Sequence, residues 1–392
     1  MNAVNAAENH EIVPSVAVYI HIPWCASLCP YCDFDKQATD FRLTDQYLDA
    51  IERHLNLTSR RRAHSLYFGG GTPSLLTPSR LARVIDACRG ALDFLPNAEV
   101  TVEANPSDVV AHKIEAYLRA GVNRISLGVQ SLNDADLRFL GRRHTADKAA
   151  RAVAAIREAG CDDLSVDLMY GLPSMTVDSL RRTLDALVAL GAEHVSCYAL
   201  TVESSTPMGA DVAAGILALP ESDDVADQYG LLQSTLASAG YRQYELSNWA
   251  RPGHESVHNL TYWRNGEYLG LGAGAAGSFE GARYKRNPVV REYIAAAEAG
   301  EPGFVEWEPW TPEQQMRDTV MLALRLEEGI SETGFERRFG LALESYCTDR
   351  IGDLIADGVL HRADDQLKLD PEYYFVCNAV LGEILPQPNP SS

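Results

Sequence analysis

Three thiols fall within eight positions of "YIHIPWCASLCPYCDFDK", residues 19–36: Cys25, Cys29 and Cys32, spaced C-x3-C-x2-C. Phe34 stands where a further C-x-C step would place a fourth. Thiolates are ligands for soft and borderline metals. Structural zinc takes four protein ligands, and the nearest extra donor is His21, four residues ahead of Cys25. A four-iron cluster takes one cysteine per iron, so three cysteines leave one iron open to a small chelating ligand. The spacing favours an iron–sulfur cluster over zinc, and zinc over unligated thiols. Cys88, Cys161, Cys197, Cys347 and Cys377 are scattered singly and read as small buried hydrophobes.

The elements that must position this motif follow a repeating order. Strand-like runs occur at 16–22, 64–70, 98–104, 124–130, 163–169 and 194–200. Helical patterns lie between them near 45–57, 79–92, 108–120, 147–159 and 176–190. Such β-helix-β units imply a parallel sheet, closed or partly closed into a barrel, with an open doubly wound sheet as the alternative. Special residues gather where the strands end: the cysteines, then "GGGTPS", Glu103 with Asn105, Gln130 and Asp167. Ligands of parallel α/β folds bind at the carboxyl ends of strands, so these residues are expected on one rim.

Beyond residue 220 the pattern loosens into a helix near 222–239, then "HNLTYW" and "YLGLGAGAAGSF". "GAGAAG" (Gly272–Gly277) matches G-x-G-x-x-G, but no helix pattern follows it, which favours close strand packing over a dinucleotide loop. Helices within 310–329 and near 331–339 and 341–357, with a hairpin over 358–370, suggest a winged-helix-like module. The expected divisions are a flexible leader (1–15), a barrel core (16–220), a barrel-completing extension (221–305), a C-terminal domain (306–380) and a disordered tail (381–392).

A net charge of −20 on 392 residues repels nucleic acid. The basic run "SRRRAH" (59–64) reads as a solvated helix end. No apolar run approaches the length of about 18 that a spanning helix needs. The start lacks the basic and apolar regions of a secretory signal, so a cytoplasmic location is expected.

The motif with its "CPYC" aromatic resembles the radical S-adenosylmethionine (SAM) superfamily. "YIHIPWC…CPYCDF", "YFGGGTPS", "VEANP", "GVQS" and "DLMYGLP" are similar to the oxygen-independent coproporphyrinogen oxidase group across residues 16–375. The resemblance implies a partial (β/α)6-type barrel. It also implies a [4Fe–4S] cluster on Cys25, Cys29 and Cys32, whose open iron is chelated by SAM; electron transfer then yields a 5′-deoxyadenosyl radical. By the same resemblance Tyr19, Tyr31, Gly70, Gly71, Thr72, Glu103, Gln130, Arg142, Asp167 and Ala199 are SAM contacts, or contacts of a second SAM. The residue types suit this, since glycines admit close backbone approach and Arg142 suits a carboxylate.

Three features point within the group to its haem-chaperone branch: Phe34 in place of a fourth cysteine, the short segment before Cys25, and "HNLTYW" (258–263). That motif implies haem contact through His258, with Tyr262 and Trp263 beside it. Implied partners are haem and haem-acceptor apoproteins, including respiratory, membrane-associated ones; a homodimer is also implied. Ala276 departs from the histidine frequent in "GAHS/GAHG", so no role of that histidine carries over. The competing functions are coproporphyrinogen decarboxylation, another radical SAM modification such as methyl transfer, and a zinc-stabilised binding protein.

Overall fold

The computed structural model describes residues 15–386. Six strands form its centre: β1 (Ser15–Ile22), β2 (Arg62–Gly70), β3 (Asp93–Ala104), β4 (Arg124–Gln130), β5 (Leu164–Tyr170) and β6 (His194–Ala199). They pair in parallel in chain order. Helices Thr44–Asn56, Pro78–Ala91, Ala111–Ala120, Ala146–Glu158 and Val177–Ala189 make the crossovers. Thr77, Thr145 and Thr176 start three of them by accepting a backbone N–H with the side-chain oxygen. On the first helix Tyr47, Leu48, Ile51 and Leu55 are buried, an apolar stripe at helical spacing. Each such side chain contributes roughly 1.5–3 kcal/mol by leaving water.

The sheet is longer than the repeat predicts. β7 (Arg242–Glu245) and β8 (Asn248–Ala250) extend it antiparallel beyond β6. On the other edge β9 (Tyr268–Leu271) lies parallel to β1, followed by antiparallel β10 (Ala276–Phe279), β11 (Ala282–Arg286) and β12 (Phe304–Pro309). Among the described residues the 12 strands of this sheet run in one linear order from β12 to β7, so this is a partial barrel with two edges. "GAGAAG" spans the turn joining β9 to β10 and the first two residues of β10, and a strand rather than a helix follows it. A Cβ on Gly272 (φ 106°) would meet the His21 carbonyl at 2.5 Å, so glycine there serves packing.

The C-terminal region packs helices Pro312–Ala323, Glu332–Phe339 and Cys377–Ile384 with a three-stranded sheet of Ile330–Ser331, Gln366–Leu369 and Leu360–Ala363. Two expectations change here. The helix read over 341–357 is two helices, Leu343–Tyr346 and Arg350–Ala356, broken where the Thr348 N–H turns to the Ile384 carbonyl. The tail does not begin at 381: the last helix continues to a fully buried Ile384, and Arg317 donates to the Pro386 carbonyl at 2.6 Å. Ser15 of the expected leader belongs to β1, while 1–14 and 387–392 lie outside the described residues. Among the described residues no helix is long and apolar enough to cross a membrane.

Candidate functional site

The carboxyl ends of β2 to β6 surround a cavity of about 390 Å³. Cys25, Cys29 and Cys32 line it from the loop after β1, together with Tyr31 and Phe34. Gly70, Gly71 and Thr72 close β2, Glu103 ends β3, Gln130 ends β4, Asp167 comes from β5 and Ala199 from β6, and Arg142 enters from the segment after β4. Nine of the ten residues expected at SAM therefore share one cavity. Tyr19 does not reach it; its ring stacks on Tyr67 at 6.2 Å and its hydroxyl meets His21 Nδ1 at 3.1 Å.

Position follows from local geometry. The β4–β5 register shifts between Leu127 and Gln130, and Gln130 takes φ 68°, a conformation a non-glycine residue adopts at a cost. Arg142 donates through Nη2 to the Gly128 carbonyl at 2.9 Å and through Nη1 to Cys29 Sγ at 3.6 Å, while its buried Nε has no partner. Thr72 Oγ1 donates to Cys25 Sγ at 3.6 Å. A guanidinium and a hydroxyl directed at sulfur are the hydrogen-bond donors that a metal-bound thiolate uses, although burial pushes the free Cys25 thiol up.

Three thiols on one cavity, with donors aimed at two of them and an unpartnered guanidinium nitrogen beside them, fit an iron–sulfur cluster. His21 is no fourth ligand, since its nitrogens face Tyr19 and the Asp35 carbonyl at 2.7 Å. Among the described residues no three His, Cys, Asp or Glu side chains converge on a single-ion position. A four-iron cluster binds one thiolate per iron and does not require that convergence.

Two carboxylates face this space. Burial, helped by the Asp167 charge, pushes Glu103 up to about 8 against the opposing hydrogen bonds from Tyr67 and the Gly70 backbone. Burial likewise raises Asp167 to about 6, against hydrogen bonds from Ser196 and Ser126. Carboxyl groups that border the cavity keep acceptor lone pairs free for the hydroxyls of a ligand.

The opposite end of the barrel is sealed. Helix Val257–Trp263, carrying the "HNLTYW" motif, caps it. Glu99 accepts from Val257 N at 3.0 Å, His258 N at 3.1 Å and Ser256 Oγ at 3.3 Å. Arg124, 2% exposed, lies 4.0 Å from Glu99 and 3.0 Å from Asp163. His258 is fully buried: Nδ1 faces Ser65 Oγ at 2.9 Å and Nε2 faces Tyr262 OH at 2.7 Å. Burial holds it neutral, lowered to about 3. Both ring nitrogens are engaged, so ligation of an iron would require opening this end and breaking one of those bonds.

Sequence reasoning passed over Tyr67, Ser126, Tyr198 and Glu99. The available signal was strand alternation: Ser65, Tyr67 and Gly69 share one face of β2, as Glu99, Thr101 and Glu103 do on β3.

Comparison with known proteins agrees with this geometry. A Radical SAM superfamily profile matches residues 19–187, and a HemN C-terminal domain profile matches 310–373. The chain is similar to the heme chaperone HemW of Lactococcus lactis, 34% identical over 94% of this chain and 97% of that protein. It is also similar to HemW of Bacillus subtilis, 35% identical over 94% and 99%. Among solved structures, coproporphyrinogen III oxidase (HemN) of Escherichia coli superposes with a TM-score of 0.80 over 94% of this chain and 90% of that one, at 22% identity, a likeness of fold.

Proposed function

Because the chain belongs to the radical SAM superfamily and, within it, to the HemW family, we propose that it is a haem chaperone. It binds haem and passes it to acceptor apoproteins, and it carries a SAM-binding [4Fe–4S] cluster. The observation that carries this reading is the end-to-end likeness to relatives named for that role.

Cys25, Cys29 and Cys32 would hold the cluster. Tyr31, Gly70, Gly71, Thr72, Glu103, Gln130, Arg142, Asp167 and Ala199 would hold SAM, with Tyr19 packed behind them. When bound, such a pair supplies an iron open to ligand and one-electron chemistry. The protein's own part is to keep two sulfurs hydrogen-bonded through Thr72 and Arg142 and to present Glu103 and Asp167 to ligand hydroxyls. Phe34 lines the cavity where a fourth thiol would otherwise stand. The acceptors belong to the respiratory, membrane-associated class, the protein works in the cytoplasm, and a homodimer is its proposed assembly. His258 serves as a haem contact only in a state where the Val257–Trp263 helix has moved.

The test is anaerobic cluster reconstitution followed by parallel incubation with haem and with coproporphyrinogen III. The expected result is a haem complex with a shifted Soret band, haem passed on to an apoprotein, and no protoporphyrinogen. Efficient decarboxylation would overturn the chaperone reading. Stoichiometric zinc with no iron in anaerobically purified protein would overturn the cluster.

A further inference from the structure

The buried motif helix and the open cavity are joined by a continuous stack of side chains. Ser65, Tyr67 and Gly69 alternate along β2 and point to one face. His258 takes Ser65 as its partner and lies flat on the Tyr67 ring, with centroids 4.9 Å apart and planes 21° apart. The Tyr67 hydroxyl donates to Glu103 Oε1 at 2.8 Å. Gly69 leaves the room this requires: a Cβ there would press on Tyr19 and Tyr67 at 2.9 Å and on Glu103 Oε1 at 3.0 Å. On the far side, Tyr262 and the Glu99-capped helix end fix the imidazole.

We propose that His258 is a positioning residue for the SAM site, setting the Tyr67 ring so that its hydroxyl aims Glu103 into the cavity. This rests on the reading that Glu103 accepts from SAM. It gives "HNLTYW" a role that needs no iron on the histidine. The carboxylate of Glu103 has several orientations open to it, and a hydrogen bond from a ring packed in a cluster with Tyr19 and His258 selects one. Loss of the platform frees the ring, and loss of the hydroxyl frees the carboxylate.

The experiment compares SAM affinity in the full, cluster-reconstituted chain, with haem titrated in parallel. Tyr67→Phe keeps the ring and removes only the hydrogen bond; SAM binding is expected to weaken about tenfold, the scale of a hydrogen bond to a charged group. His258→Ala is expected to weaken SAM by a similar factor, and the double variant by little more than either, because both act through one contact. His258→Phe keeps a flat platform and is expected to restore affinity to within about threefold of the parent.

A pH profile separates positioning from general loosening. Glu103 is faced by Tyr67 and the Gly70 backbone from β2, Asp167 from β5, Tyr19 from β1, Tyr198 from β6 and Tyr262 from the floor helix. SAM affinity should rise with pH as Glu103 ionises, and in Tyr67→Phe that rise should move to higher pH, because the bond favouring the carboxylate is gone. Tyr67→Phe with unchanged affinity and an unmoved profile would overturn the inference, as would fully additive effects in the double variant. Glu103→Gln distinguishes the two levels. If it weakens SAM while Tyr67→Phe does not, only the positioning role fails; if it leaves SAM binding intact, the reading of the cavity fails with it.

Discussion

The two ends of the barrel are built from the same strands and treat polar groups in opposite ways. At the carboxyl ends, Glu103, Asp167 and Arg142 border open space, and Arg142 Nε has no partner. At the amino ends, Glu99, Arg124, His194 and His258 are equally polar, but a helix, a carboxylate, a serine or a tyrosine covers them, and of these four Arg124 keeps one buried nitrogen, Nη2, without a partner. His194, for instance, sits between Ser165 Oγ at 2.8 Å and Tyr244 OH at 2.8 Å. Polar residues inside a barrel thus mark a site where they border open space, since a buried group enclosed by protein leaves a ligand no room to meet it.

This contrast can be broken experimentally, and the largest effect should come at the mouth. Cys29→Ser should lower the iron content after reconstitution by more than about tenfold, exceeding the loss of an outer-shell partner, with the fold intact by circular dichroism. Retained cluster absorbance would remove Cys29 from the ligand set. At the floor, Glu99→Ala leaves Arg124 short of a charge partner and uncaps helix Val257–Trp263. The expected cost is about 3–5 kcal/mol in urea denaturation, and a loss below about 1 kcal/mol would show that the floor is not a stability element.

The ends should also carry opposite pH signatures. His258 is lowered to about 3, and His54, at the end of the helix that leads into β2, to about 4, each chiefly by burial. The unfolded chain takes up protons that these folded sites refuse, so their contribution is present above about 6.5 and is lost as pH falls toward 3, by up to about 1.4 kcal/mol per pH unit for each histidine. Glu103, raised to about 8, behaves inversely: the folded state holds its proton more tightly, and stability declines as pH rises from about 4.5 to 8. Denaturant midpoints across pH 4 to 9 should therefore lose their acid limb in part with His258→Phe and their neutral-to-alkaline decline in part with Glu103→Gln. An unchanged curve in either variant refutes that half. The smallest effect is expected at Phe34, which is 62% exposed: Phe34→Ala should change stability by less than about 0.5 kcal/mol, and a larger loss would mean that the mouth is packed more like the floor.

Much of this architecture was legible in the residues. Strand periodicity located β1 to β6 within a few positions, because alternation and helical spacing are local properties of the chain. The rim residues were legible for the same reason: each follows its own strand, and parallel strands end on one side. The extended start of β3 and the break at Thr348 were not, since pairing to Arg62 and a bond to the Ile384 carbonyl decide them. His258 shows the limit most clearly. Its motif was visible in the sequence, but its partner Ser65 lies 193 residues away and its platform Tyr67 on the same strand. Whether an imidazole meets solvent, iron or a serine depends on which surface its helix covers, and long-range packing alone decided that it would close the barrel floor beneath the cavity.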